Sequence, residues 1–353
     1  MSSPAVLNFE KLLAPIPGEN PAGVDLRADP SPVSDYYTIK GARTAARAAE
    51  RQISRGEDAP DPDWRSVVDR GAKAISARSK DLEITAYVVE ALLRQHGYAG
   101  LRDGFRLARE LVEQYWDRLY PLPDEDGLET RIAPLTGLNG DEAEGTLMVP
   151  LNLVPITAVT GVGQFCLSHF QEATATSKIG DAKLREKKIA AGALSMDTFL
   201  KAIEETPASF YGNLVQDLAQ CSEEFAKLGA ALDQKCDGQG PPTSNIRAAL
   251  ETTLDTIKDL ARNKLSAVSA AGAAVAGDGA AGGPAAAGGG AEGAAAVPAV
   301  PVDAIRNRED AFRALLRVAD YFRRAEPHSI VSYALEQVVH WGRLSLPELL
   351  TEL

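Results

Sequence analysis

Cysteine and histidine are scarce in this chain, with three cysteines, Cys166, Cys221 and Cys236, and four histidines in 353 residues. An odd cysteine number without paired spacing argues against a disulfide framework and against a cysteine-based metal site; it suits a reducing compartment, the cytoplasm. Positive charge is short as well: 37 Lys and Arg face 49 Asp and Glu, for a formal net charge of -12. Phosphate binding needs a clustered basic surface that releases counterions, so nucleic acid is not expected as a main partner. Met1 to Pro4 offer neither a basic start nor an apolar core, and Glu10 and Glu19 follow early, so no export signal is expected. Neither a phosphate-loop lysine motif nor a paired-histidine metalloprotease motif occurs.

Thr146 to Gln171 lacks Asp, Glu, Lys and Arg and is about long enough to cross a bilayer. Pro150, Asn152, Pro155, Gly161 and Gly163 interrupt it and would leave backbone groups unpaired in lipid. The reading is a buried loop or short extended piece, with no membrane insertion.

What is present describes a folded helical protein. Hydrophobic residues make up 45% and charged residues 24%, near ordinary globular values, and the length exceeds what one core usually supports. Pro15, Pro17 and Pro21 deny helix to the opening segment Leu12 to Arg27. Helical pattern runs from about Tyr36 to Ile53 and breaks at the turn-rich run Gly56 to Asp63. Asp63 caps a second helix carrying Trp64, Val67, Val68, Ala72 and Ile75 on one face. A third holds Leu82, Ala86, Val89 and Leu93 and is expected to stop at Gly97, because glycine readily adopts the left-handed geometry that closes a helix. Leu101 to Trp116 repeats the pattern until Pro121 and Pro123. Further on, Leu167 to Ala175, Asp197 to Glu205, Ser209 to Leu228 and Thr243 to Leu265 all have helical spacing.

Composition then shifts: Ser266 to Pro301 is nearly all Ala, Gly, Val and Pro, with Asp278 and Glu292 its charges. Such a run reads as a flexible tether with a reach of roughly 30 to 35 Å. Beyond it, Asn307 is placed to cap a helix with the apolar stripe Phe312, Leu315, Leu316, Ala319 and Phe322. A second helix is expected from Ser329 to His340, and a third opens with Ser345, Leu346, Pro347 and Glu348. A core this small favours self-association. The fold class is therefore all-α: a helical N-terminal body of antiparallel helices (1–140), a helical middle region (141–265), an Ala/Gly/Pro linker (266–302) and a small C-terminal helical oligomerisation module (303–353).

Residues that invite chemistry have plainer readings. His328 beside Glu326 and Ser329 fits a turn leading into a helix, since neighbours in sequence rarely converge on one substrate. His340 has no carboxylate or cysteine at ligand spacing. Gly161 and Gly163 begin a nucleotide-binding pattern, but Cys166 occupies its third glycine position. Trp64, Trp116 and Trp341 fall within helical apolar patterns and read as core. No catalytic residue, metal or cofactor is expected. Arg317, Arg323 and Arg324 beside Tyr321 and Phe322 fit either a subunit interface or a solvated helix face. On the interface reading, Phe312, Leu315, Leu316, Phe322, Arg323, Arg324 and Trp341 form the oligomer contact.

Two ends of the chain carry a family resemblance. At the first stand Pro15-Ile16, Asn20-Pro21, Gly23, Asp25-Leu26-Arg27, Trp64, Lys80-Asp81-Leu82, Gly97, Gly100-Leu101, Tyr115-Trp116-Asp117 and Leu119-Tyr120-Pro121. At the second stand Arg308-Glu309-Asp310-Ala311, Val318 to Arg324 and Glu326-Pro327-His328-Ser329, followed by Trp341. With these residues the chain resembles the TssA (ImpA-type) family of the bacterial type VI secretion system, and Gly145-Thr146-Leu147, Pro150-Leu151 and Val154-Pro155 resemble its short form. Ile330 departs from the proline common after the Glu-Pro-His-Ser run, which removes a preset dihedral and leaves the Ser329 cap. Trp64, Asp81, Trp116 and Tyr120 are the N-terminal motif residues. The resemblance implies a cytoplasmic, non-enzymatic scaffold that forms a ring-like homo-oligomer through its C-terminal region. It implies baseplate, tail-tube and sheath proteins as partners, with the membrane complex as a further one. The alternatives are an adaptor that recruits a secreted effector and a hydrolase with its site between Asp141 and Leu265.

Overall fold

The structure is a computed structural model. It describes residues 2–125 and 127–266, together with isolated helical positions between 312 and 340. Residues 1–281 and 282–353 cluster as separate units. No β-strand occurs among the described residues, where extended segments meet only in isolated bridges.

In the first unit the helices begin where the sequence supplies caps. Helix α1 (Phe9–Leu13) starts at Asn8, whose side chain accepts the Lys11 N–H at 3.0 Å. The prolines after it hold the chain out of helix until a 3-10 turn at Leu26–Ala28. Helix α2 (Asp35–Ser54) follows the Ala- and Arg-rich run, and α3 (Trp64–Ala77) starts at Asp63, which accepts the Ser66 N–H at 2.9 Å. Asp81 caps α4 (Leu82–Tyr115), accepting the N–H groups of Glu83 and Ile84 at 2.9 and 3.0 Å.

The core forms around α4. Leu82, Ile84, Val88, Val89, Leu93, Leu101, Phe105, Leu107, Leu111 and Val112 are all buried; the first half of the helix is apolar on nearly every side, the pattern of a central element, whereas the second half carries a charged stripe with Arg102, Arg106, Arg109 and Glu110. At Gly97 the helical dihedrals are interrupted, as the sequence leads one to expect. The residue takes φ 56° and ψ -140°, a region open to glycine, and a second helical segment follows at once in a new direction. The two segments run on without a loop and share the same core.

Helices α5 (Glu129–Asn139), α6 (Met148–Leu153), α7 (Leu167–Ser177), α8 (Ala182–Ala190), α9 (Met196–Glu205), α10 (Ala208–Lys235) and α11 (Ser244–Leu260) complete the unit. The uncharged stretch read as loop or extended chain thus contains α6, while α7 begins at Leu167, where the helical spacing placed it. Pro150 sits in the first turn of α6, where the missing N–H costs no bond. Between the two helices, Pro155 and Cys166 form an antiparallel bridge around the turn Thr160 to Gly163. Helix α10 lies along α4, with the Phe105 and Phe225 rings 4.7 Å apart, so one continuous core runs from Leu12 to Ala261.

A buried polar clasp ties the start of the chain to this pair of helices. Arg102 on α4 donates through Nε to Asp103 at 2.9 Å and through Nη1 to the Ser3 carbonyl at 3.0 Å and Asp217 of α10 at 3.3 Å. Its Nη2 donates to the Pro4 carbonyl at 3.3 Å. Asp217 accepts the Ser3 N–H at 2.8 Å and its hydroxyl at 2.5 Å, and Asp103 accepts the Val6 N–H at 2.6 Å. The charges are buried but mutually satisfied, the condition under which a buried ionic cluster is tolerated.

In the second unit, Phe312, Leu315, Leu316, Val318 and Ala319 are helical; Ala319 is buried, Phe312, Leu315 and Leu316 are half-buried, and Val318 is exposed. Arg323 is helical and exposed, and Gln337 to His340 are helical with Val339 buried. Phe322, Arg324 and Trp341 of the expected interface lie outside the described residues, as do the linker, the Glu326 to Ser329 turn and the third expected helix.

Candidate docking face

The four N-terminal motif residues fall into three places. Asp81 and Tyr120 are brought together: the Leu82 N–H donates to the Tyr120 carbonyl at 2.7 Å, and the Tyr120 N–H to the Lys80 carbonyl at 2.9 Å. This knits the start of α4 to the segment that leaves its end. The Tyr120 hydroxyl accepts from Asn20 at 3.2 Å and so anchors the opening segment at the same point. Trp116 stands apart, its ring 4.9 Å from the guanidinium of Arg131, which also donates to the Trp116 carbonyl at 2.8 Å. Trp64 stands apart again, on α3.

Asp81 is fully buried and spends both carboxylate oxygens. One caps α4, and the other accepts Arg27 Nη1 and Nη2 at 2.7 and 2.8 Å. Burial pushes its proton affinity up, to about 6, against the pull of Arg27 and the two backbone amides. At neutral pH it is ionised and holds the opening segment through Arg27.

Beside it Lys80 is fully buried without a carboxylate partner. Its ammonium donates to the carbonyls of Leu12 at 2.6 Å and Ile75 at 3.0 Å and lies 5.5 Å from the Tyr115 ring centre. Burial lowers its pKa from the ordinary 10.5 to about 8. The folded chain therefore binds fewer protons than the unfolded chain between those values, and stability rises with pH across that window, while the cost of burying the charge is fully present below about pH 8. In urea titrations at pH 7.5 and 10.5, the stability of the natural chain relative to Lys80→Met is expected to increase by an amount on the order of 2 to 3 kcal/mol. A constant difference would count against a buried amine with a lowered pKa.

Trp64 opens onto a groove of about 810 Å³ between the C-terminal end of α2, the start of α3, the Gly97 bend and α6. Its walls carry the exposed apolar side chains Ile53, Val149 and Leu153. The Trp64 indole N–H donates to Glu50 at 2.6 Å, the Arg94 Nε donates to the same oxygen at 2.7 Å, and the Arg94 guanidinium lies 4.0 Å from the indole centre. Behind them Arg43, Arg47 and Arg94 converge on the fully buried Glu90 at 2.6, 3.3 and 3.4 Å. The tryptophan is held rigid on both its polar edge and its face. The sequence marked Trp64 as core, which is right; it gave no sign of the groove, whose other walls come from the end of α2, the Gly97 bend and the segment Glu144 to Pro155.

The nearest approach to a reactive arrangement is one the sequence reading passed over. Cys166 Sγ lies 3.0 Å from His169 Nδ1 and 3.1 Å from Ser168 Oγ. The i, i+3 spacing across a helix start was the available signal. His169 Nδ1 also accepts the Cys166 backbone N–H at 3.1 Å, so the pair closes a capping box at the N-terminus of α7. No group of three metal-ligating side chains occurs among the described residues, and none of the described helices is long and apolar enough to cross a membrane.

Fold and site define an all-helical protein in which Asp81 and Tyr120 brace the body and Trp64 lines a surface groove. A family model described as ImpA, N-terminal, type VI secretion system matches residues 13–140. The type VI secretion system component TssA1 of Pseudomonas aeruginosa is 29% identical over 334 residues, which is 94% of this chain and 90% of that one. A solved N-terminal domain including the conserved ImpA_N region of the TssA component of the type VI secretion system from Burkholderia cenocepacia superposes with a TM-score of 0.62 at 25% identity, covering 73% of this chain and 95% of that chain. The chain thus carries an ImpA-type N-terminal region and is similar along most of its length to a TssA component of the type VI secretion system.

Proposed function

We propose that this chain is a non-enzymatic assembly scaffold of the type VI secretion system. In this reading residues 303–353 build a ring-like homo-oligomer, residues 266–302 act as the tether, and the helical body carries the surfaces that engage baseplate, tube and sheath components. The observation that carries it is the reach of the similarity to TssA1: at 94% of the chain it extends past the Ala/Gly-rich run into the C-terminal segment. A tethered body repeated around a ring raises avidity without any single strong contact. The Phe312, Leu315 and Leu316 stripe, half-buried within its own unit, supports the assignment of the assembly contact to that segment.

The test is solution mass by light scattering, with the full chain beside a version truncated at Gly290. A large full-length assembly that falls to monomers or dimers on truncation is the expected result. An equal, small mass for both would overturn the ring and favour the adaptor reading.

A further inference from the structure

Helix α8 has no buried residue, and Leu184 and Ile189 are 48% and 37% exposed. A helix that buries nothing has no packing reason to carry a particular charge pattern, yet this one has a marked pattern. Lys178, Lys183, Arg185, Lys187 and Lys188 stand against Asp181 and Glu186, five cations to two anions, so residues 178–190 carry +3 in a chain whose net charge is -12. None of the four lysines forms an ion pair with another described residue.

The helix presents a defined side outward. Arg185 donates to the Ile179 carbonyl at 3.2 Å, and Arg185 and Ile189 line a hollow with Thr176 and Met196. At about 100° per residue, Lys183 and Lys187 lie on the opposite side, with Leu184 next to them and Lys188 on the flank, so that an exposed leucine stands among three ammonium groups. The chemistry that fits is a carboxylate cluster on a small apolar support.

That complement exists on the same molecule. The loop between α2 and α3 carries Glu57, Asp58, Asp61 and Asp63 within seven residues, interleaved with Pro60 and Pro62. Glu57, Asp58, Pro60 and Asp61 are exposed. Asp63 uses one oxygen to cap α3, whereas the other three carboxylates form no ion pair with any described residue. Within one chain the two charged patches leave each other unpaired.

We propose that the outer face of α8 in one copy docks on the acidic loop 57–63 of the next. The two surfaces are different, so the contact is head-to-tail, a type that closes rings or extends filaments instead of stopping at a dimer. It is built from exposed ion pairs, which are individually weak and screened by salt, so it acts where copies are already held close together. This contact rests on the proposed C-terminal ring to bring copies close, and its test reads a different quantity, the identity of the linked residues.

Full-length chains with natural and heavy nitrogen are mixed and treated with a carbodiimide, which joins amines to carboxylates in direct contact. Mixed-isotope peptides linking Lys183 to Glu57 are expected. Reversing the neighbours (Lys187→Glu with Lys188→Glu) leaves Lys183 in place and is expected to lower that cross-link about tenfold, as is Asp58→Lys with Asp61→Lys, which leaves Glu57 in place. A chain carrying all four reversals is expected to recover it, an outcome that local damage to either element does not produce. Absence of mixed-isotope links, or yields unmoved by either reversal, overturns the contact while leaving the light-scattering test of the ring untouched.

Discussion

Arg102→Ala is expected to lower the thermal unfolding midpoint by roughly 6 to 20 °C. The substitution removes the one cation shared by Asp103 and Asp217 and strands two buried carboxylates, both less than a tenth exposed. Removing one partner of a buried ionic cluster costs about 3 to 5 kcal/mol, and each kcal/mol is worth roughly 2 to 4 °C in a domain of this size. Arg106→Ala is the control. Arg106 lies one turn further along α4, pairs with Glu110 at 2.8 Å and is 43% exposed, so its loss should cost less than about 1 kcal/mol. Calorimetry of the two variants decides the matter, and equal midpoints would mean that the clasp contributes nothing beyond a surface pair. Hydrogen exchange adds a local readout: the Val6 amide, which donates to Asp103, should lose its protection in Arg102→Ala first.

Gly100→Ala is expected to be the most damaging small substitution in the helical body. A Cβ at this position would stand 2.3 Å from the Leu92 carbonyl oxygen and 2.8 Å from the His96 Cβ. The first of these is backbone on the other side of the Gly97 bend, so no rotamer change relieves it; the two halves of α4 must move apart. Overpacking of this kind costs about 3 kcal/mol where only side chains adjust and more where main chain shifts. Gly41→Ala in the middle of α2 is the contrast, because a Cβ there meets nothing within 4 Å. Alanine in that helix interior should stabilise the chain by about 0.5 to 1 kcal/mol. Denaturant midpoints moving in opposite directions for the two variants would establish that the bend requires a bare backbone. Parallel shifts would refute that account.

How much of this was legible beforehand depends on whether the cause is local. Helices α2 and α3 were readable to within a residue or two because their signals sit inside them: an Ala- and Arg-rich run, a capping Asp63, an apolar face from Trp64 to Ile75. Helix α5 escaped notice because Pro134 lies within it, and Pro150 hid α6 in the same way. Helix α8 escaped for the opposite reason; with nothing buried, it has no apolar period to detect. The break at Gly97 was legible, with helical pattern on both sides of the glycine; that the two segments follow without a loop is set by the core they share.

The sites were less legible than the fold. Asp81 and Tyr120 stood out as motif residues, but their joining through backbone hydrogen bonds depends on where the chain returns after α4. The groove beside Trp64 and the clasp around Arg102 bring together residues far apart in sequence, and no spacing rule records such a meeting. For the same reason the family resemblance carried information that residue patterns did not: it reports a whole arrangement at once.

The clasp also has a consequence for how the chain is made. Ser3 binds Asp217, 214 residues further on. At roughly 5 to 20 residues per second, a nascent chain spends about 10 to 40 s between releasing one partner from the ribosome and the other. From about halfway through that interval α4 has emerged without α10 to cover it, leaving Leu101, Phe105 and Leu111 without that partner. The body can close only after α10 has left the exit tunnel, so a ribosome stalled before Asp217 would hold a sticky, unsealed chain for a chaperone to guard.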